Sequence, residues 1–271
     1  MKYLESWKWE NLELKSLKKY NFMKIIFLGV GDAFDENLPS NSSLVMSEKT
    51  TLMLDCGESA VRQLWKIKKG DDSIDTLFIS HHHPDHFLGL PAMLDRMLLY
   101  EKRTKPLTIF CSKSTHKHIN DVTELIFKSM KNEDGFKVNI VKIEHNKALN
   151  FKDLELSFCP TAHSVENNAI KITDGKNVVV YSGDGSPKSG TDFYKDLDLL
   201  IQETYLYDQE KIGHASIVGS IKFAENNNIK CLALTHISRD FRKDELPKTK
   251  DRIKSDKIKI IIPEPMDEYE I

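Results

Sequence analysis

The chain lacks the features that would place it in several large classes. Its four cysteines, Cys56, Cys111, Cys159 and Cys231, show no paired spacing, so neither a disulfide framework nor a thiolate zinc knuckle is expected. No apolar run approaches the length of a membrane span. Residues 1–20 carry charges throughout and have no apolar stretch of the secretory kind. An excess of one charge is missing as well: the formal net charge is −2, which gives no global pull toward nucleic acid or an anionic membrane. These absences lead us to expect a cytoplasmic protein with reduced thiols and no membrane association. Repeats and low-complexity linkers are absent too. A length of 271 residues, 40% hydrophobic and 30% charged, suffices for a substantial core. We expect one domain over residues 23–271, preceded by an extension, 1–22, whose apolar positions fit no regular period.

What is present is a series of short apolar runs. Those at 24–29, 43–46, 51–54, 76–79, 107–111, 137–143, 154–158, 169–173, 178–181, 199–202, 231–235 and 258–262 read as strands. Segments 60–68, 91–100, 114–131 and 215–226 have helical spacing or helix-start signals. Asp174-Gly175 marks a hairpin between two of the strands. Strands come in runs with helices between the blocks. That order predicts an α/β fold of two helix-covered sheets rather than a doubly wound parallel sheet.

Chemistry is concentrated at strand ends. Ser80-His81-His82-His83-Pro84-Asp85-His86 follows Leu77-Phe78-Ile79 and holds four of the chain's 10 histidines. Asp184 follows the run 178–181, His236 follows 231–235, and His163 lies beyond 154–158. Strand ends on one edge of a sheet converge, so distant residues can build one site on rigid supports. In H-x-H-x-D-H, His81 and His83 can face one cation, while Asp85 and His86, beyond a turn at Pro84, face another. Asp184 is the candidate carboxylate between the two. Imidazole and carboxylate donors suit zinc, with manganese or iron as alternatives. A closed structural zinc site would be richer in thiolate, and no cysteine falls in the cluster.

With its flanking segments, this set resembles the metallo-β-lactamase superfamily and, within it, the ribonuclease Z (tRNA 3′-endonuclease) branch. The matching segments are Asp55-Cys56-Gly57-Glu58 with Arg62-Gln63-Leu64, Asp85-His86-Phe87-Leu88-Gly89-Leu90-Pro91, and Arg103 with Pro106-Leu107-Thr108-Ile109. Tyr181-Ser182-Gly183-Asp184, Glu203-Thr204, Gly213-His214-Ala215-Ser216 and Leu234-Thr235-His236-Ile237-Ser238 continue the series. The resemblance implies an αββα sandwich of two mixed β-sheets with helices on both outer faces. It also implies two divalent metal ions, one on His81, His83 and His163, the other on Asp85, His86 and His236, bridged by Asp184. A hydroxide held between them would attack phosphorus of an RNA or nucleotide substrate, as in tRNA processing. Asp85, His214 and Glu203 are the catalytic residues expected, with His214, oriented by Glu203, giving a proton to the leaving oxygen. Metallo-β-lactamases proper do not need that extra pair. Asp55 is expected behind one of the ligating histidines, and homodimers are common in the family.

The chain also departs from the usual pattern. Asp184 follows His163 by only 21 positions, too few for the long arm that grips the tRNA elbow. Ser59-Ala60-Val61 replaces the usual Gly-Thr-Gln, and Gln202 stands where histidine is usual. Lys15, Lys18 and Lys19, with Lys248, Lys250, Arg252, Lys254 and Lys257, are the basic residues available to take over from the arm. The function expected is therefore a dinuclear phosphodiester hydrolase. The alternatives are a small-molecule cyclic-nucleotide phosphodiesterase and a thioester, lactone or β-lactam hydrolase of the same fold. In the last of these, Glu203 and His214 would have no task. His82, His116, His118 and His145 lack partner spacing, and Cys56 reads as a buried small side chain.

Overall fold

Lys24–Gly29 is buried along its whole length, and successive residues feed different cores. Ile25 and Phe27 pack toward a second sheet, whereas Ile26 and Leu28 pack under helices. A strand buried on both faces requires a continuous apolar run rather than alternation, and this one sets the layering of the molecule. The computed structural model describes residues 23–67, 74–128, 135–145, 147–188, 190–209 and 211–271. The expected extension 1–22, with Lys15, Lys18 and Lys19, lies outside the described residues.

The strands β1 (Lys24–Gly29), β2 (Ser42–Met46), β3 (Thr51–Leu54), β4 (Thr76–Ile79), β5 (Leu107–Cys111) and β6 (Val138–Lys142) lie side by side in chain order. The second sheet contains β7 (Leu149–Phe151), β8 (Leu154–Pro160), β9 (Asn168–Thr173), β10 (Val178–Tyr181), β11 (Leu199–Glu203), β12 (Cys231–Thr235) and β13 (Lys259–Ile261), also in order. β14 (Glu268–Glu270) returns to pair antiparallel with β1. Both sheets are mixed. β3 through β6 run parallel, as do β10 through β13, and the remaining neighbours are antiparallel.

Helices α1 (Ala60–Lys66), α3 (Leu90–Leu99) and α4 (Lys113–Lys128) cover the outer face of the first sheet through Val61, Leu64, Leu90, Met93, Leu94 and Ile119. Between α1 and α3 lies α2 (Pro84–Phe87), a single turn in the histidine segment. Helices α5 (Ile217–Asn226), α6 (Arg239–Asp244) and α7 (Leu246–Thr249) cover the second sheet through Ile217, Ala224, Phe241 and Leu246. Between the sheets, Phe78 stacks on Phe158 with ring centroids 5.7 Å apart. Burying each such Leu, Ile or Phe side chain stabilises the fold by about 1.5–3 kcal/mol. The architecture is the expected one: two mixed sheets with helices on both outer faces.

The local differences have simple causes. Pro84 does not make a turn; it occupies the first position of α2, where its missing N–H leaves no hydrogen bond unmade. β7 and β14 are three residues long, too short for a period to be legible.

Candidate metal centre

Parallel strands deliver their carboxyl ends to the same edge, and the chemistry-bearing residues sit there. Asp55 follows β3, Ser80 through His86 follow β4, Asp184 follows β10, Glu203 ends β11 and His236 follows β12. The chain leaves these strands sharply. Asp55 and His236 adopt left-handed backbone with φ of 56° and 55°, a conformation that non-glycine residues hold at a cost and that gathers at functional sites. Gly183 and Gly185 bracket Asp184 with φ of 59° and 89°. A Cβ on Gly183 would lie 2.5 Å from Ser80 Cβ, and one on Gly185 would lie 2.4 Å from Ala162 O. Only glycine permits that approach.

Two groups of ligand-type side chains meet at Asp184. His81, His83, His163 and Asp184 form one, and Asp85, His86, His236 and Asp184 form the other; within each, one donor atom per residue lies within 4.8 Å of all the rest. The carboxylate of Asp184 is divided between them. Its Oδ2 is 4.0 Å from His81 Nε2 and 3.9 Å from His163 Nε2, while its Oδ1 is 3.1 Å from His86 Nε2 and 3.6 Å from His236 Nε2. Asp85 Oδ2 lies 3.1 Å from His86 Nε2 and 3.3 Å from His236 Nε2. His83 Nδ1 is 3.2 Å from His163 Nε2. Buried His81 Nε2 has no hydrogen-bond partner, and His86 Nε2 and Asp184 Oδ1, though 3.1 Å apart, make no well-angled hydrogen bond. A buried polar atom left this way costs about 1–3 kcal/mol, and a cation would satisfy all three. The donor set fits: two clustered histidine and aspartate sites consistent with a dinuclear metal centre.

A layer behind these residues fixes their orientation. Asp55, fully buried, accepts hydrogen bonds from Ser80 N at 2.7 Å, from Ser80 Oγ at 2.7 Å and from the Tyr181 hydroxyl at 2.6 Å. Its Oδ2 also lies 2.7 Å from His86 Nδ1, which leaves Nε2 of that ring for the centre. Ser80 Oγ is 3.0 Å from His81 Nδ1, and His163 Nδ1 is 2.7 Å from the carbonyl oxygen of Gly213. Asn167 Nδ2 ties the Asp184 loop down, donating to Thr161 Oγ1 at 2.6 Å, to Ser182 O at 3.1 Å and to Asp184 O.

The charges follow from burial and neighbours. Burial works against a charge on His81, and the adjacent His86 adds to the effect, so His81 titrates well below the ordinary imidazole value. His86 and His236 are buried too, but the carboxylates of Asp184 and Asp85 outweigh that. His86 is raised, and His236 is pushed up to about 9. Burial opposes ionisation of Asp85 and Asp184, yet the surrounding imidazoles hold both below the usual carboxylate range.

A further pair borders the cluster. Glu203 Oε1 accepts from Gly185 N and Ala215 N, each at 2.9 Å, and its Oε2 lies 3.4 Å from His214 Nδ1. The His214 ring sits 5.3 Å from that of His163 and 6.0 Å from that of His236. Two residues on, Ser216 Oγ caps α5 by accepting from Gly219 N at 3.1 Å, a contribution of about 1 kcal/mol that holds the His214 loop in place. The cluster and His214 open onto a pocket of about 330 Å³ whose walls include Asp32, Phe34, Tyr205 and Lys211.

Other residues singled out in the sequence lie apart. His82 stacks on His118 with centroids 4.5 Å apart, and His145 Nε2 meets Asn168 Oδ1 at 2.6 Å. Cys56 is fully buried against Met93, and burial pushes its thiol up. Lys248 pairs with Glu245 at 3.0 Å, Arg252 lies over the Tyr207 ring at 4.9 Å, and none of the C-terminal basic residues lines the pocket. Sequence reasoning missed Ser80, Asn167 and Tyr181 as supports, and Phe34, Tyr205 and Lys211 as walls. Tyr181, at the terminus of a strand just before Ser182-Gly183-Asp184, carried a usable positional signal; Asn167 carried none.

Known proteins share this arrangement to differing depths. A family model described as anti-Pycsar protein Apyc1 matches residues 23–255. Ribonuclease Z of Methanosarcina mazei is 27% identical over 83% of this chain and 90% of the relative, and ribonuclease Z of Archaeoglobus fulgidus is 26% identical over the same shares. Among solved structures, the metallo-β-lactamase fold protein YhfI from Bacillus subtilis superposes with a TM-score of 0.75 at 22% identity, covering 93% of this chain and 100% of that one. The short form of human tRNase Z gives 0.73 at 20% identity, covering 91% and 98%. The chain therefore belongs to the anti-Pycsar protein Apyc1 family, within the ribonuclease Z-like branch of the metallo-β-lactamase superfamily.

Proposed function

We propose that this chain is a dinuclear metal-dependent phosphodiester hydrolase acting on RNA or a nucleotide. In this reading His81, His83 and His163 hold one cation, Asp85, His86 and His236 hold the other, and Asp184 lies between them. Zinc suits the imidazole and carboxylate donors best, with manganese or iron as alternatives. When bound, the cations would supply charge stabilisation for phosphoryl oxygens and acidify water near neutral pH.

The chain's own residues account for the remaining requirements. The observation that carries the reading is the division of Asp184 between two histidine groups with Glu203 and His214 alongside. His214 delivers a proton to the leaving oxygen, a task that cleavage of a phosphodiester demands. Glu203, held by two backbone N–H groups, orients the His214 ring. Asp85 keeps the rings of His86 and His236 turned toward the centre, and Asp55 does the same from behind His86. Hydrolysis of a thioester, lactone or β-lactam would leave the Glu203–His214 pair without work.

Relatives named ribonuclease Z support RNA as the substrate. A second reading, a small diester such as a cyclic nucleotide, is favoured by one observation: residues 174–177 join β9 to β10 directly, which leaves no room at that place for an arm to grip a folded RNA. The proposal includes residues 23–271 as one hydrolase domain, a homodimer by family resemblance, and a cytoplasmic location. The last rests on four unpaired thiols. No described helix is long and apolar enough to cross a membrane.

Purified protein supplied with zinc or manganese should hydrolyse bis(p-nitrophenyl) phosphate. Cleavage of lactones or thioesters with the diester left untouched would overturn the reading. Comparing a precursor tRNA with cyclic nucleotides then chooses between the two substrates.

A further inference from the structure

The pocket beside the histidine cluster carries a side chain that the chemistry above leaves unused. Phe34 is 78% exposed and lines the pocket that His163, Asp184 and His214 also line. The loop that presents it is held by side-chain hydrogen bonds of Asp32, Asp35 and Arg239. Asp32, itself only 4% exposed, accepts from Phe34 N at 3.0 Å through one oxygen and from Arg239 N at 3.0 Å through the other. Arg239 returns a hydrogen bond to Phe34 O at 3.1 Å and pairs with Glu36 at 3.0 Å. Asp35 closes the turn by accepting from Asn37 N and Leu38 N at 2.8 and 2.9 Å. The backbone carrying the phenyl ring is thus fixed before any ligand arrives, so little ordering is needed on binding.

A flat apolar face held rigidly beside a phosphodiester site matches one part of a nucleotide. Bases stack on aromatic side chains with little regard to sequence, because every base has a π-face. We propose that Phe34 is the platform on which the base of the substrate nucleotide stacks while its phosphate sits at the histidine cluster. This assignment rests on the phosphodiesterase reading above and deepens it. The substrate carries a base within one nucleotide's reach of the scissile phosphate, and Phe34 determines specificity without touching the reacting atoms.

The test compares two product-like monoesters, adenosine 5′-monophosphate and ribose 5-phosphate, which differ by the base alone. Each is used to inhibit hydrolysis of bis(p-nitrophenyl) phosphate by the zinc-loaded full chain. Adenosine monophosphate should inhibit about tenfold to a hundredfold more tightly, the range that stacking of one base supplies. Phe34→Ala should abolish that advantage and leave the ribose 5-phosphate constant unchanged, and Phe34→Tyr should restore it. Independently of turnover, proton NMR of adenosine monophosphate should show upfield ring-current shifts of the base protons with the wild-type chain. These shifts should disappear with Phe34→Leu, which keeps the apolar area and removes the ring. An advantage that survives Phe34→Ala would overturn the assignment. So would a Phe34→Ala chain whose mass on gel filtration changes while its base preference does not, since the ring would then serve a protein contact. If no diester is hydrolysed but the base protons still shift in a Phe34-dependent way, the platform stands and the phosphodiesterase reading falls.

Discussion

The two histidine groups that share Asp184 are built to different standards of enclosure. His86 and His236 are buried almost completely, Asp85 is 8% exposed, and Asp55 braces His86 from behind. In the other group His81 and the His163 ring are enclosed as well, and His83 alone is half-buried. The electrostatics differ in the same sense. Carboxylates favour protonated His86 and His236, whereas burial keeps His81 neutral and shifts His83 in the same direction. A sealed position whose histidines must release protons to accept a cation sits beside one that opens at His83, where burial already works against a charge on His81 and His83. We expect the sealed position to retain its metal longer and the open position to exchange.

The residue common to both groups gives the largest expected effect. Asp184→Ala should weaken both positions together and lower diester hydrolysis by about a thousandfold or more; loss of one cation with the other retained would show that the groups are independent. Next comes His214→Ala, which should reduce kcat about a hundredfold with metal content unchanged. A drop in bound metal would place His214 within the cluster rather than beside it. Asp55→Asn separates the halves: affinity at the sealed position should fall by roughly 10–100-fold, while the open position, measured in the same chelator competition, should hold.

The smallest effect concerns pH in the metal-free chain. His236 is pushed up to about 9 from the ordinary 6.5, so its protonated form is favoured by folding. That stabilisation is complete below the ordinary value and is lost as pH rises through about 9. The melting temperature of chelator-treated protein should therefore fall by a few degrees between neutral pH and pH beyond that value. His236→Gln should flatten this slope, and an unchanged slope would remove the sealed group's charge from the comparison.

The sealed and open halves were about equally legible in the sequence, because both hang on strand ends. Apolar runs that stop at His81, Asp184 and His236 announce a sheet edge, and the H-x-H-x-D-H spacing announces two facing directions. The layering was readable for a related reason: Ile25-Ile26-Phe27-Leu28 is apolar without alternation, as a strand between two cores must be. Much of the bracing was illegible. Asn167 sits in a polar loop with no period, and its value lies in three hydrogen bonds to backbone and side-chain oxygens brought near only by folding. Phe34 reads as an ordinary loop residue until Asp32 and Arg239, more than 200 positions apart in the chain, are seen holding its backbone. The short pieces α2, β7 and β14 were missed because three or four residues cannot display a repeat.

The most direct measurement is anomalous diffraction from crystals of the zinc-loaded chain, read at the zinc edge. Two peaks roughly 3.5–4 Å apart, one on each side of the Asp184 carboxylate, with the peak beside His86 and His236 at the higher occupancy, are the expected result. A single peak, or two peaks of which neither touches Asp184, would contradict the shared-carboxylate centre on which the proposed function depends.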